Sequence, residues 1–155
     1  MNNTSNWLVH DHRKFDDALE MCALTAGAGK WKEAIALFKD FVEDLKLHMR
    51  MEDEVLYPAV LEEVKDAADI VADLSDEHDY IALLLRDLVY VIKRNDIDHF
   101  EESLKPLHEA MIEHNENEEK LFLNMGNENL LSRRDEIIAR LNTMEPAENR
   151  RVWDF

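Results

Sequence analysis

Residues 48–58 read His48-Met49-Arg50-Met51-Glu52-Asp53-Glu54-Val55-Leu56-Tyr57-Pro58. A histidine and a glutamate four positions apart sit one turn apart on the same face of a helix, so His48 and Glu52 project in one direction. The arrangement returns at His114-Asn115-Glu116-Asn117-Glu118, and in each copy a lone histidine stands upstream with thirty-five residues between, His12 before His48 and His78 before His114. Four imidazoles and two carboxylates therefore fall into two equivalent halves. Paired donors aimed one way are what a metal site requires.

Outward from this stretch, apolar steps of three and four extend the pattern into four helices. Phe38, Phe41, Leu45, His48, Glu52, Val55 and Ala59 mark one helix of roughly 31–65, which Pro58 is expected to kink or distort because it lacks an amide donor. Before it, Leu8, His12, Phe15, Leu19, Cys22 and Ala26 form a stripe that ends at Gly27 and Gly29. After it, Leu74, His78, Ile81, Leu85, Leu88 and Ile92 give a third helix, starting near Asp73 or Ser75 and stopping before Arg94-Asn95-Asp96. The fourth carries Phe100, Leu104, Leu107, Met111, His114, Glu118, Leu121 and Met125 up to Gly126, with Pro106 tolerable only near its first turns.

All six candidate donors, His12, His48, Glu52, His78, His114 and Glu118, occupy inward stripes, while most other charged residues do not. A buried unpaired carboxylate costs several kcal/mol, and a metal removes that cost directly. The donors can meet only if each pair is equidistant from the turn joining its helices. His12 and His48 centre on residue 30, His78 and His114 on residue 96, and both fall on turn signals. His48 and His78 centre on residue 63, close to a connection expected near 66–69. The spacing predicts one layer of six groups inside an all-α, up-down-up-down four-helix bundle.

Composition agrees. A chain of 155 residues suits one core, and three glycines and three prolines are too few for a sheet with its turns. The formal charge of −17 opposes binding to nucleic acid or an anionic membrane surface. The lone Cys22, the absence of a basic-then-apolar leader and the lack of any apolar run near 18 residues predict a cytoplasmic protein. The bundle is expected over 1–126. Residues 127–155 then form an amphipathic extension packed on the same domain, with Leu130, Leu131, Ile137, Ile138 and Leu141 among Arg133, Arg134 and Arg140. Trp153 and Phe155 would suit an intramolecular contact or a homodimer.

Other chemistry-bearing residues carry weaker signals. His10 is rotated about 200° from His12 and points away, while His99 and His108 are expected to cap, pair with acids or face solvent. Tyr57, Tyr80 and Tyr90 are read as packing aromatics without a role. Asp11 and Asp79 adjoin donor histidines, and carboxylates beside metal ligands often orient the imidazoles, although neighbours on a helix diverge by about 100°. No Glu-x-x-His occurs, which argues against a ferritin-like carboxylate site.

The repeated half, a histidine on one helix and His-x-x-x-Glu on the next, resembles the hemerythrin-like, or HHE cation-binding, family over about residues 8–125. Glu52-Asp53-Glu54-Val55-Leu56-Tyr57-Pro58 is similar to the family's acidic-then-apolar segment ending in proline; the second copy, Glu118 to Asn124, lacks the proline. The resemblance implies terminal ligands His12, His48, His78 and His114 and bridging Glu52 and Glu118 around two iron ions with an oxo or hydroxo bridge. The donors alone also suit manganese or zinc. Dioxygen, nitric oxide or peroxide would be the partner, for sensing, detoxification or iron handling. A peroxidase or nitric-oxide reductase type of enzyme, or a signalling bundle binding another metal, are the alternatives.

Oxygen-carrying members resemble this pattern but add a histidine one turn after that of the third helix, where this chain has Ala82, and use His-x-x-x-x-Asp on the last helix. A more open site is therefore expected here, and reversible oxygen transport is disfavoured. Iron–sulfur repair members differ by an N-terminal segment with paired cysteines, whereas the first helix begins here almost at once.

Overall fold

The computed structural model describes residues 7–124 together with 136 and 139. Helix α1 is Trp7–Gly27 and α2 is Trp31–Met51; a π-helical turn, Glu52–Leu56, leads without a break into α3, Tyr57–Glu63. Helix α4 spans Ala68–Lys93, and α5, Ile97–Glu119, runs into a second π turn, Lys120–Asn124. There is no strand among the described residues. The α2–α3 unit therefore behaves as one long helix, and the chain makes the expected four-membered bundle. In it α1 packs on α2 and α5, α4 packs on α5, and α2 and α3 meet α4. No described helix is long and apolar enough to cross a membrane. The expected extension at 127–155, with its proposed packing, lies outside the described residues apart from 136 and 139.

The repeat reaches into the turns. Gly29 closes α1 in the left-handed region, at φ 81°, where glycine avoids a Cβ clash. Its N–H bonds to Ala26 O at 3.0 Å and Lys30 N–H bonds to Thr25 O at 3.1 Å, a Schellman closure. Sixty-six residues later Asn95, at φ 55°, does the same: Asn95 N–H bonds to Ile92 O and Asp96 N–H to Val91 O. Asp96 then caps α5 by accepting the His99 N–H at 3.2 Å. These two closures set the helices antiparallel about residues 30 and 96.

Two boundaries and the placement of one proline differ from what the spacing predicts. Helix α4 begins at Ala68, not near Asp73 or Ser75, because Ala67 and Val71 continue the buried stripe backward in steps of four and three. The connection before it lies two residues earlier than expected, at 64–67, since α3 ends at Glu63. Pro106 sits in the interior of α5. It is exposed, as is Glu102 four residues before it, so the carbonyl that loses its amide partner faces the solvent side.

The inward stripe of the second long helix also shifts. Val60 is fully buried where Ala59 was expected, and Ala59 is only half-buried. The π turn supplies the reason: it inserts one extra residue into the helical repeat, so every position beyond it faces one residue later. Pro58, which cannot donate an amide hydrogen bond, follows at once.

Two apolar clusters fill the interior. One gathers Phe15, Leu19, Cys22, Phe38, Phe41, Ile81, Leu85, Leu88, Phe100 and Leu104 toward the Gly29 and Asn95 turns. The other gathers Leu8, Val55, Leu56, Tyr57, Val60, Val71, Leu74, Leu121 and Phe122 toward the opposite end. Each such side chain, fully buried, contributes about 1.5–3 kcal/mol. Between the clusters lie His12, His48, Glu52, His78, His114 and Glu118, all buried.

Candidate metal centre

The six groups predicted from the sequence meet in one layer. His12 comes from α1, His48 from α2, Glu52 from the first π turn, His78 from α4, and His114 and Glu118 from α5. Their donor atoms form two overlapping sets, His12, His48, Glu52 and Glu118, and Glu52, His78, His114 and Glu118. Within each set the atoms lie within 4.8 Å of one another and could hold a metal ion.

Both glutamates belong to both sets, and each divides its oxygens between them. Glu118 Oε1 lies 3.0 Å from His12 Nε2, while Glu118 Oε2 lies 3.3 Å from His114 Nε2. Glu52 Oε2 lies 3.2 Å from His48 Nε2, and Glu52 Oε1 lies 3.0 Å from His78 Nε2. The second set closes with His78 Nε2 3.1 Å from His114 Nε2. Ligand atoms held about 2.1 Å from one metal and at right angles to each other are about 3 Å apart. The donor spacing therefore fits a cation in each half. One more observation fits: Glu52 Oε2 is buried and faces His48 Nε2 at 3.2 Å without accepting a hydrogen bond, and a cation bound there would satisfy the oxygen.

Each imidazole turns Nε2 inward and Nδ1 outward, and each Nδ1 meets an acidic side chain. Glu119 Oε2 is 2.9 Å from His12, Asp53 Oδ1 is 2.9 Å from His78, and Glu77 Oε1 is 2.8 Å from His114. Asp11 Oδ2 faces His48 at an ion-pair distance of 3.7 Å. Every one of these carboxylates is on the helix preceding its histidine around the bundle: α1 serves α2, the π turn after α2 serves α4, α4 serves α5, and α5 serves α1. The ring closes on itself. A carboxylate on Nδ1 selects the tautomer whose Nε2 lone pair points to the centre and holds the ring at its angle. All four outer carboxylates are 25–30% exposed, so they join the buried layer to solvent.

Sequence reasoning found part of this ring. Asp11 does take the outer role, but for His48 and not for its neighbour His12, because adjacent positions on one helix diverge. Beside His78 the residue that does so is Glu77, not Asp79. Asp53 and Glu119 were not singled out. A signal for all four was present: Asp11 and Glu77, like Asp53 and Glu119, are acids separated by the same 66 positions as the donors. His10 is exposed, His99 pairs with Asp96, and His108 lies 3.4 Å from Asp16, all away from the layer as expected.

Tyr57 requires a correction. It is buried, and its hydroxyl donates to Glu118 Oε2 at 2.6 Å and lies 3.3 Å from His78 Nε2. On an α-helix residue 57 would be about 140° away from residue 52. In the π turn the Tyr57 N–H reaches back to Glu52 O, one residue further than in an α-helix, and this brings the tyrosine round toward the glutamate. Ala82 is fully buried, so solvent does not reach the space an extra imidazole would have taken. The side chain that enters the layer near His78 is Tyr57, its ring stacked on the imidazole.

Imidazoles and carboxylates favour the charged form of one another across the layer. Burial pulls every imidazole toward neutrality, yet the surrounding carboxylates outweigh it. Glu118 and Glu119 raise His12, the Glu52 charge and contacts with Asp11 and Glu118 raise His48, and Glu118, Glu52 and Glu77 raise His114. His78, against the same burial, is raised to about 9 by Asp53 and Glu52. Burial opposes charge on Glu52 and Glu118 as well, but the imidazoles hold both below the usual carboxylate range. Burial, reinforced by the two carboxylates, pushes the Tyr57 phenol well up.

Metal must then displace protons from Nε2. Loading the metal-free chain at pH 7 is expected to release protons, because ligand imidazoles must be neutral. The release should shrink as pH rises through about 9. A dye-monitored titration in weak buffer measures it, and release below about one proton per chain would contradict this protonation state.

The outer ring has its own expected effect. Glu77→Gln keeps size but removes the charge that holds His114 and accepts from Asn117 Nδ2 at 2.8 Å. Metal affinity is expected to fall about 10–100-fold, the usual consequence of losing such an orienting partner. Competition with a chelator measures it; an unchanged affinity would assign Glu77 to the surface alone.

A helical bundle enclosing a histidine and glutamate layer that could hold cations defines a class of metal-binding protein. The chain belongs to the hemerythrin HHE cation-binding domain family, whose model matches residues 3–125. Neither the curated proteins nor the solved structures contain a match to it.

Proposed function

We propose that His12, His48, Glu52, His78, His114 and Glu118 hold two iron ions and that the pair binds dioxygen, nitric oxide or peroxide, in sensing, detoxification or iron handling. The observation that carries this reading is the division of each carboxylate, one oxygen toward the His12 and His48 pair and the other toward the His78 and His114 pair. Such carboxylates bridge; a single ion would not need both faces of both groups. Iron is the family's inference, and the donors themselves would also accept manganese or zinc.

Bound iron would supply a redox-active Lewis acid. The chain's own groups do the rest. Glu52 and Glu118 would be shared by the two ions, the four imidazoles would supply the remaining donors, and apolar clusters flank the layer on either side. The ring of outer carboxylates holds the imidazole tautomers and offers partly exposed proton acceptors at the edge of the layer.

Elemental analysis of the purified chain with optical titration tests this. About two irons per chain and bands that move on adding azide or peroxide are expected. Zinc retained in preference to iron, or iron bands indifferent to both ligands, would overturn it.

A further inference from the structure

The two halves of the chain match at every donor and at every outer carboxylate when displaced by 66 positions, and they part at residue 57. Its counterpart is Leu123, which carries no donor atom. The Tyr57 hydroxyl stands 2.6 Å from Glu118 Oε2 and 3.3 Å from His78 Nε2, both members of the same candidate donor set. Within that set His78 Nε2 is 3.0 Å from Glu52 Oε1 and 3.1 Å from His114 Nε2. The phenol oxygen thus keeps the spacing of about 3 Å that ligands of one ion keep among themselves. It is also fixed there: the side chain is buried, its ring stacks on His78, and the π turn and Pro58 set the backbone that carries it.

We propose that Tyr57 is a fifth protein donor to the ion held by His78 and His114, so that the two positions are inequivalent. This rests on the metal-pair reading above. When the ion binds, the phenol gives its proton to solvent and its oxygen becomes the donor. Tyr80 and Tyr90 are exposed on α4 and do not approach the layer.

Ferric-loaded protein and its Tyr57→Phe variant decide the matter. The wild-type chain is expected to show a phenolate-to-iron charge-transfer band, with tyrosine ring vibrations enhanced on excitation within it. Tyr57→Phe keeps the stacked ring and is expected to lose band and vibrations together. Loss of one iron alongside the band would support the same assignment. Two irons with no phenolate signature in the wild type, or a band that survives Tyr57→Phe, would overturn the role of Tyr57 and leave the metal pair standing. A chain that takes up no iron would overturn both readings, and the metal count separates that outcome from the others.

Discussion

Glu118→Ala is expected to lower metal content from about two ions per chain to well below one. Glu118 contributes an oxygen to each donor set, so its loss takes each from four protein donors to three at once. His12→Ala touches one set and should spare the other. The asymmetry between these variants is what a bridging carboxylate requires. Glu118→Ala also leaves the Tyr57 hydroxyl without its acceptor and removes a hydrogen bond from His12. Elemental analysis of the two variants side by side measures the effect, and a Glu118→Ala chain that retains both ions would rule out bridging.

Stripping the metal from the wild-type chain should lower its melting temperature by about 10–20 °C. An ion present at 100 times its Kd adds about 2.7 kcal/mol to the folded state, so two sites add about 5 kcal/mol. In a domain of this size about 1 kcal/mol moves the midpoint by 2–4 °C. The metal-free chain should stay folded, because protonated imidazoles and ionised carboxylates stabilise one another in the layer and two apolar clusters hold the ends. Calorimetry with and without a chelator tests both statements. A midpoint insensitive to the chelator would mean that the layer holds no ion in the native state, while unfolding on chelation at room temperature would mean that the apolar clusters do not suffice.

The six inner groups were legible because they obey two periods together, the three-and-four step of an inward helical face and the repeat of 66 that doubles it. Helix number and turn positions followed from the same spacing, with Gly29 and Asn95 at equivalent places. Tyr57 was not legible, since its approach to Glu118 depends on a π turn and every count made at the α-helical period turns it away. The π turn itself has a local cue in Pro58, but Lys120–Asn124 adopts one with no proline. The outer carboxylates were half legible. Their acidic character recurs in both halves, yet which histidine each serves depends on the neighbouring helix: Asp11 is adjacent to His12 in sequence and meets His48 in space.

By itself, then, the sequence determined which donors turn inward and at what level along each helix, because both follow from local periodicity and from distance to a turn. Only the tertiary structure decided how those donors divide into two sets, which helix supplies each outer carboxylate, and that Tyr57 joins one half without a partner in the other. These depend on the order of helices around the bundle and on a one-residue change in helical pitch. Neither quantity is local to the residues that use it.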